Sequence, residues 1–294
     1  MRILVTSGNG LTGSWLRFLS NKLNNHQFIF HDRNLGDLTN IKVTKKIINN
    51  LSPDIIIHNA AELNGALDKL SEKKKSASNN LVVFDNLIES VRNNQKVYCF
   101  SSYHVYQGDA PFKELNINSL NYSSPYSGWK SSEIQSTKNL SNFNYILFPH
   151  LFGPYDNFKV GRAHFVADSI RRICFAMNKK DHEIEFHGDK NQVIQLATGE
   201  QAAEFTLNQI QYDYLPDTNY IRANIGWKTK TELVFNALLN IMEFKGSVVN
   251  NSNPILQTNR NMYFENETSI SNVIPNDFYE SLFETVNYFK KTLE

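Results

Sequence analysis

Apolar residues fall along the first half of the chain in short, nearly unbroken runs, separated by longer stretches of helical periodicity. The first run, over 2–5, reads as a buried strand, and 13–23 reads as a helix with Trp15, Leu16, Leu19 and Leu23 on one face. A second strand over 26–32 (HQFIFHD) leads to a helix over 43–51, a turn at Ser52-Pro53 and a third strand over 54–61 (DIIIHNAA). A helix over 79–92, the strand KVYCFSS at 96–102, a loop, a helix over 126–140 and the strand NYILFPH at 144–150 continue the alternation. Strands apolar at successive positions, rather than at every second one, need cover on both faces, which a parallel sheet between two helix layers provides. The pattern predicts a doubly wound, Rossmann-type α/β fold.

Beyond Gly153-Pro154 the order loosens. Helices are expected over 163–177, 199–209, 231–244 and 278–291, with short strands such as EIEFHG at 183–188 and GSVVN at 246–250. This divides the chain into a dinucleotide-binding domain over 1–153 and a smaller, mainly substrate-binding α/β region over 154–294, some of whose segments return to the main domain. Ligands of such folds bind in the crevice at the carboxyl ends of the strands.

Glycines follow the first strand at positions 8, 10 and 13, where a helix opens. Such a loop brings backbone close to a pyrophosphate and offers it the amides of a helix N-terminus, so Ser7, Gly8, Asn9, Gly10, Leu11 and Gly13 are candidate cofactor contacts, with Ala60 and Ala61 at the end of the third strand. The second strand ends HDRN. Asp32 suits the ribose hydroxyls of NAD and Arg33, with His31 near it, the 2′-phosphate of NADP; NADP is the first expectation and NAD the alternative.

Candidate chemistry comes from two further stretches. SSYHVYQGD closes the fourth strand, and YSGWK opens a helix in which Tyr126 and Lys130, four residues apart, share a face. A lysine ammonium near a phenol lowers its pKa from about 10, so that the phenol exchanges a proton near neutrality. Hydride transfer to a carbonyl requires such a proton on oxygen, and Ser102 is placed to orient that oxygen. Ser102, Tyr126 and Lys130 are therefore the catalytic candidates.

In this order, strand, glycine loop, SSxxVY, YxxxK and Gly-Pro turn, the chain resembles the extended short-chain dehydrogenases/reductases that act on nucleotide sugars. Among them it is most similar to the GDP-L-fucose synthases, which epimerise a GDP-4-keto-6-deoxy sugar at C3 and C5 and reduce C4 with NADPH. The likeness rests on LFGPYDNFKVGRAHFVADSIRR at 151–172, with HNAA at 58–61, NIG at 224–226, FKGSVV at 244–249 and a last helix ending NYF. The resemblance implies a reductase triad of Ser102, Tyr126 and Lys130, an epimerase acid at His164 with His104 in the place of the family's cysteine, and a diphosphate-binding Arg172. Asn157 falls where the family binds its sugar nucleotide. Departures are Ser7 for a glycine, His187 for a tryptophan and Ile194 for an arginine, whose work falls to Lys190 or Arg260. Reduction with epimerisation and reduction alone both stay open. So do a C4 epimerase holding NAD and a non-catalytic dinucleotide-binding subunit, while dehydration lacks the acid pair it needs, since Tyr103 and His104 follow Ser102.

Composition narrows the partners. Over 294 residues, 30 Lys+Arg against 29 Asp+Glu give a net charge of +1, with no global field for a nucleic acid backbone or an anionic membrane. The chain contains no apolar run near the roughly 20 residues that span a bilayer, and glycine and asparagine interrupt the first run before it reads as a signal peptide, so a cytoplasmic protein is expected. Cys99 and Cys174 sit in apolar segments as reduced thiols, and no spacing suggests a metal. The resemblance implies a homodimer through the helices at 79–92 and 126–140.

Overall fold

The structure, a computed structural model, describes residues 1–23, 25–65, 68–212, 219–250, 260–266 and 269–293. Its main sheet has six strands, β1 (Arg2–Val5), β2 (Gln27–Phe30), β3 (Ile55–His58), β4 (Lys96–Ser102), β5 (Phe143–Phe148) and β9 (Tyr220–Arg222), in the order β2-β1-β3-β4-β5-β9. Every neighbouring pair is parallel. The order reverses between β1 and β3, so the loops leaving their carboxyl ends diverge and open a crevice.

Both faces of this sheet are covered, as the unbroken apolar runs require. Ile3 and Val5 of β1 and Ile55 and Ile57 of β3 cluster with Leu16 and Leu19 of α1 (Leu11–Ser20) and with Ala202 and Ala203 of α6 (Gly199–Tyr212). Leu4 and Ile56 point the other way, to Ile47 and Ile48 of α2 (Ile41–Leu51) and Phe84 and Leu87 of α3 (Leu70–Ser90), beside which lies α4 (Pro125–Ser136). Each such leucine, isoleucine, valine or phenylalanine side chain, fully buried, contributes about 1.5–3 kcal/mol. Thus α6 and β9 return to the main sheet from the second half of the chain.

The remaining chain forms two small sheets. In one, β8 (Val193–Thr198) pairs antiparallel with β10 (Trp227–Lys230) and parallel with β6 (His150–Phe152); in the other, β7 (Glu183–Phe186) and β11 (Ser247–Asn250) run parallel. Helices α5 (Phe165–Lys179), α7 (Thr231–Ile241) and α8 (Asn276–Lys291) pack with them. Among the described residues no helix is long and apolar enough to cross a membrane.

Several boundaries depart from the pattern for local reasons. α1 begins at Leu11 and ends at Ser20, short of Leu23, in a polar turn. α3 starts at Leu70, nine residues before the apolar stripe, because its first turns carry lysines in solvent and show no apolar face. The run NYILFPH divides at Pro149, which lacks an N–H for a ladder, and His150 opens β6 in the small sheet. Strands β8, β9 and β10 were missed: β9 and β10 have three and four residues, and β8 and β10 carry polar residues among the apolar ones, Gln195 in β8 and Lys228, Thr229 and Lys230 in β10.

Candidate active site

Two close approaches and one open face shape the loop after β1. A Cβ at Gly13 would lie 2.0 Å from the Ser7 carbonyl oxygen, and one at Gly8 would lie 2.8 Å from Phe30 Cβ. At Gly10, the N-cap of α1, the nearest atom to an added Cβ is Ser7 Oγ at 3.9 Å, so this glycine faces open space beside the first unsatisfied amides of the helix. Ser7, standing where a glycine was expected, is not among the residues with positive φ and carries no left-handed strain. Asn59 clasps it from β3's end: Ser7 N donates to Asn59 Oδ1 at 2.9 Å and Asn59 Nδ2 donates to Ser7 O at 2.8 Å. Thr6 Oγ1 accepts from the amides of Asn59 and Ala60 at 3.1 and 3.0 Å, which ties Ala60, and with it Ala61, to the loop. Leu11 packs its side chain towards Gly153 and Gly199 and offers the loop only backbone. Replacing Gly13 by Ala forces α1 away from β1; the expected result is a drop in melting temperature worth about 1–3 kcal/mol together with weaker NADPH binding by fluorescence titration, and an unchanged protein would refute the close approach.

At the mouth of β2, Asp32 Oδ1 accepts from Asn34 N at 2.8 Å in a local turn, and Arg33 is exposed. His31 is buried, its ring nitrogens 3.2 Å from Thr6 O and 3.0 Å from Gly36 O, so it braces the backbone and does not face a phosphate. Arg17, which sequence reasoning missed, comes from α1 to lie 4.4 Å over the Phe30 ring and 3.5 Å from Asn9 Oδ1.

Across the crevice, β4 ends at Ser102 and turns into a short 3-10 helix (Tyr103–Val105), where His104 N donates to Ser102 Oγ at 3.4 Å. Tyr126 lies in the first turn of α4, behind Pro125 and a reciprocal Ser124–Ser127 cap. Burial pushes its phenol up to about 12, a hydrogen bond with the Ser102 side chain works against that rise, and the Glu133 carboxylate adds to it. Lys130 lies one turn further along the same helix. Its ammonium donates to Phe100 O at 2.7 Å and to Glu133 Oε2 at 3.0 Å, and rests 4.1 Å over the Trp129 ring.

Beside Tyr126 three imidazoles form a chain. The His104 ring meets Tyr126 and His150 at 5.4 Å each, and His150 meets His164, the N-cap of α5, at 6.2 Å. Burial holds His104 down to about 4, helped by Arg260 and His164; it also pulls His150 well below the usual value and lowers His164. His150 Nδ1 and Arg260 Nε are buried with no hydrogen-bond partner, polar atoms left over for something in the crevice. Among the described residues no such group has the arrangement of a metal site. His150 was missed from sequence, although its position after a strand and a proline, just before Leu-Phe-Gly-Pro, marks a strand mouth.

The other substrate candidates are dispersed. Arg260 reaches back to donate to Tyr106 O and stacks 5.1 Å over Phe112, which brings it to the histidines. Arg172 pairs with Asp168 at 2.8 Å and donates to Glu185 O; Arg171 and His187 also face Asp168, and although burial opposes them, a hydrogen bond with His187 and the two guanidinium groups hold that carboxyl below its usual range. Lys190 lies 4.0 Å from Glu232, and Asn157 is exposed in a turn, its side chain accepting from Lys159 N.

The profile of the NAD dependent epimerase/dehydratase family matches residues 3–212, a span that includes the glycine loop, Ser102, Tyr126, Lys130 and the three histidines. The chain belongs to this family. It is 24% identical over 263 residues to GDP-L-colitose synthase of Yersinia pseudotuberculosis, across 85% of this chain and 84% of that protein. Its fold is similar to a GDP-6-OMe-4-keto-L-xylo-heptose reductase from C. jejuni, with a TM-score of 0.80 at 16% identity over 99% of this chain and 98% of that one. A GDP-L-fucose synthetase from Naegleria fowleri bound to NADP gives a TM-score of 0.70 at 18% identity over 99% and 93%. Likeness to the GDP-L-fucose synthases thus stands beside others of similar strength, and the resemblance is to the family as a whole.

Membership of the NAD dependent epimerase/dehydratase family makes the protein an NAD(P)H-dependent oxidoreductase of the short-chain dehydrogenase/reductase type. Its loop fits the dinucleotide that such enzymes use: Gly13 allows the helix to meet the strand, and the open face of Gly10 leaves room for the pyrophosphate at the amides of α1.

Proposed function

We propose that the protein reduces the C4 ketone of a GDP-linked 4-keto-6-deoxy sugar with NADPH. The observation that carries this reading is the meeting of Ser102, at the carboxyl end of β4, with the Tyr126 phenol, whose proton affinity the Ser102 side chain lowers, with Lys130 one helical turn further on. Bound NADPH supplies the hydride. As negative charge grows on the carbonyl oxygen, Ser102 donates a hydrogen bond to it and Tyr126 gives it a proton. Two N–H groups of Lys130 are held by Phe100 O and Glu133, and the third is left for a ribose hydroxyl. The GDP linkage is supported by the names of the colitose synthase and the heptose reductase.

NADPH is favoured over NAD because the Asp32 carboxylate is engaged in its own turn while Arg33 is exposed and Arg17 lies against the end of β2. The sugar nucleotide is assigned mainly to the region over 154–294, with His164, Arg260, Arg172, Lys190 and Asn157 as its candidate contacts, and a homodimer would form through α3 and α4.

One observation favours a second reading, retained C3/C5 epimerisation: His104 and His164 lie in one pocket, bridged by His150. An imidazole held at about 4 is a weak base for a carbon-bound proton and holds none to return at neutral pH, so reduction alone is the stronger reading. The test is incubation with NADPH and GDP-4-keto-6-deoxymannose in heavy water, followed by absorbance and NMR. Cofactor oxidation without deuterium at C3 or C5 is expected. Deuterium at both would restore epimerisation, and absence of oxidation would overturn the reading in favour of another keto sugar, a C4 epimerase or a non-catalytic subunit.

A further inference from the structure

Lys130 is not alone in the core. Glu133, one turn along α4, is fully buried and takes two charge-assisted hydrogen bonds, from Lys130 Nζ at 3.0 Å and from Trp129 Nε1 at 2.6 Å. The Trp129 ring also lies against the ammonium. Deeper in the helix the Glu133 carbonyl accepts from Thr137 Oγ1 and from the Tyr145 hydroxyl of β5, at 3.1 and 2.7 Å. A carboxylate placed so far from water is held only by such partners.

We propose that Glu133 is a positioning residue for the reduction, fixing the Lys130 ammonium so that its remaining N–H points at the cofactor ribose, and offsetting its charge beside Tyr126. The proposal rests on the reductase reading given above. Glu133 accepts one ammonium N–H, Phe100 O accepts the second, and these two tethers set the direction of the third.

The charge balance follows from what surrounds the pair. His58 of β3 is held neutral by burial, near 3; burial likewise keeps Cys99 of β4 and Tyr145 of β5 protonated. Asp85 of α3, exposed on that helix, is the other carboxylate within reach. The Glu133 carboxylate raises the Tyr126 phenol, and the Lys130 ammonium paired with it carries the opposite charge. Removing the carboxylate's charge leaves a net cation near the phenol, and its tyrosinate form becomes easier to reach. Reduction needs the phenol protonated, so the alkaline limb of kcat moves to lower pH.

The test compares Glu133→Gln and Glu133→Asp with the unaltered protein. Glu133→Gln is expected to shift the alkaline limb down by roughly one pH unit and to weaken NADPH binding several-fold in a fluorescence titration, whereas Glu133→Asp keeps the charge and leaves the limb in place while still weakening NADPH. A purely structural role would lower the melting temperature of both variants without moving the limb of either, and that result overturns the proposal. Should Glu133→Gln not fold, undiminished NADPH affinity in Glu133→Asp would overturn it as well. The titration needs no sugar, so failure of the reductase reading, seen as no turnover in the unaltered protein, is distinguished from failure of the role of Glu133.

Discussion

Replacing Tyr126 with Phe lowers turnover of the keto sugar by about a hundred- to ten-thousand-fold, the range that a positioned general acid supplies, while the protein stays folded and still binds NADPH. The ring itself is a packing element, edge-on to His104 at 5.4 Å and to Trp129 at 5.5 Å, and Phe retains both contacts. Only the hydroxyl is lost, and with it the proton for the developing alkoxide and the partner of Ser102. Ser102 still receives the His104 amide, so its stranded oxygen costs about 1 kcal/mol or less. Steady-state kinetics with NADPH, a fluorescence titration and a thermal melt separate these effects. Unchanged turnover would remove Tyr126 from the chemistry and with it the proposed function.

The main sheet was legible because its strands are buried on both faces. Runs such as ILV at 3–5 and III at 55–57 leave no other placement, and the order of strand and helix then fixes the layers. Where a helix meets solvent on most sides, as the lysine-rich start of α3 does, no stripe exists to be read. Short strands of the second half escaped for a related reason: β9 has three residues, and its place beside β5 is decided by tertiary pairing, not by its own pattern.

The site was legible to the extent that its chemistry is local. Tyr126 and Lys130 are a fixed distance apart on one helix, and Ser102 ends a strand next to it, so sequence order alone brings them into one reading. What Lys130 does with its charge was not legible, because Glu133 becomes its partner only once both are excluded from water. Arg260 reaches the Tyr106 carbonyl across 154 residues of chain, and His150 enters the pocket because Pro149 ends β5 and turns the chain into another sheet. These are consequences of packing that no spacing rule contains.

Acid destabilises this protein over a window set by its buried histidines. In the unfolded chain an imidazole titrates near 6.5, but in the fold burial holds His58 near 3 and His104 near 4, and draws His150 and His164 down as well. Below pH 6.5 the unfolded chain therefore binds protons that the native state refuses. The stability these groups contribute is present above about pH 6.5 and is lost as pH falls towards 4 and 3. Two buried carboxyls act in the opposite sense. Asp156, pushed up to about 7 by burial, takes up its proton in the fold before it would unfolded, and Glu133 is raised by burial too. His58, His104 and His150, all drawn far down, against Asp156 leave an excess of about two protons, which corresponds to roughly 3 kcal/mol lost per pH unit below about pH 6, with His164 and Glu133 adding in opposite senses. Against a typical stability of about 5–15 kcal/mol this is a large share, and thermal melts between pH 7 and 4.5 should show the midpoint falling by at least several degrees per unit. A midpoint that holds or rises over that interval would mean that the imidazoles take up protons in the fold. Substituting His104 by Gln tests the assignment directly: it removes one of the four histidines and should flatten the slope by about 1.4 kcal/mol per pH unit, whatever it does to turnover.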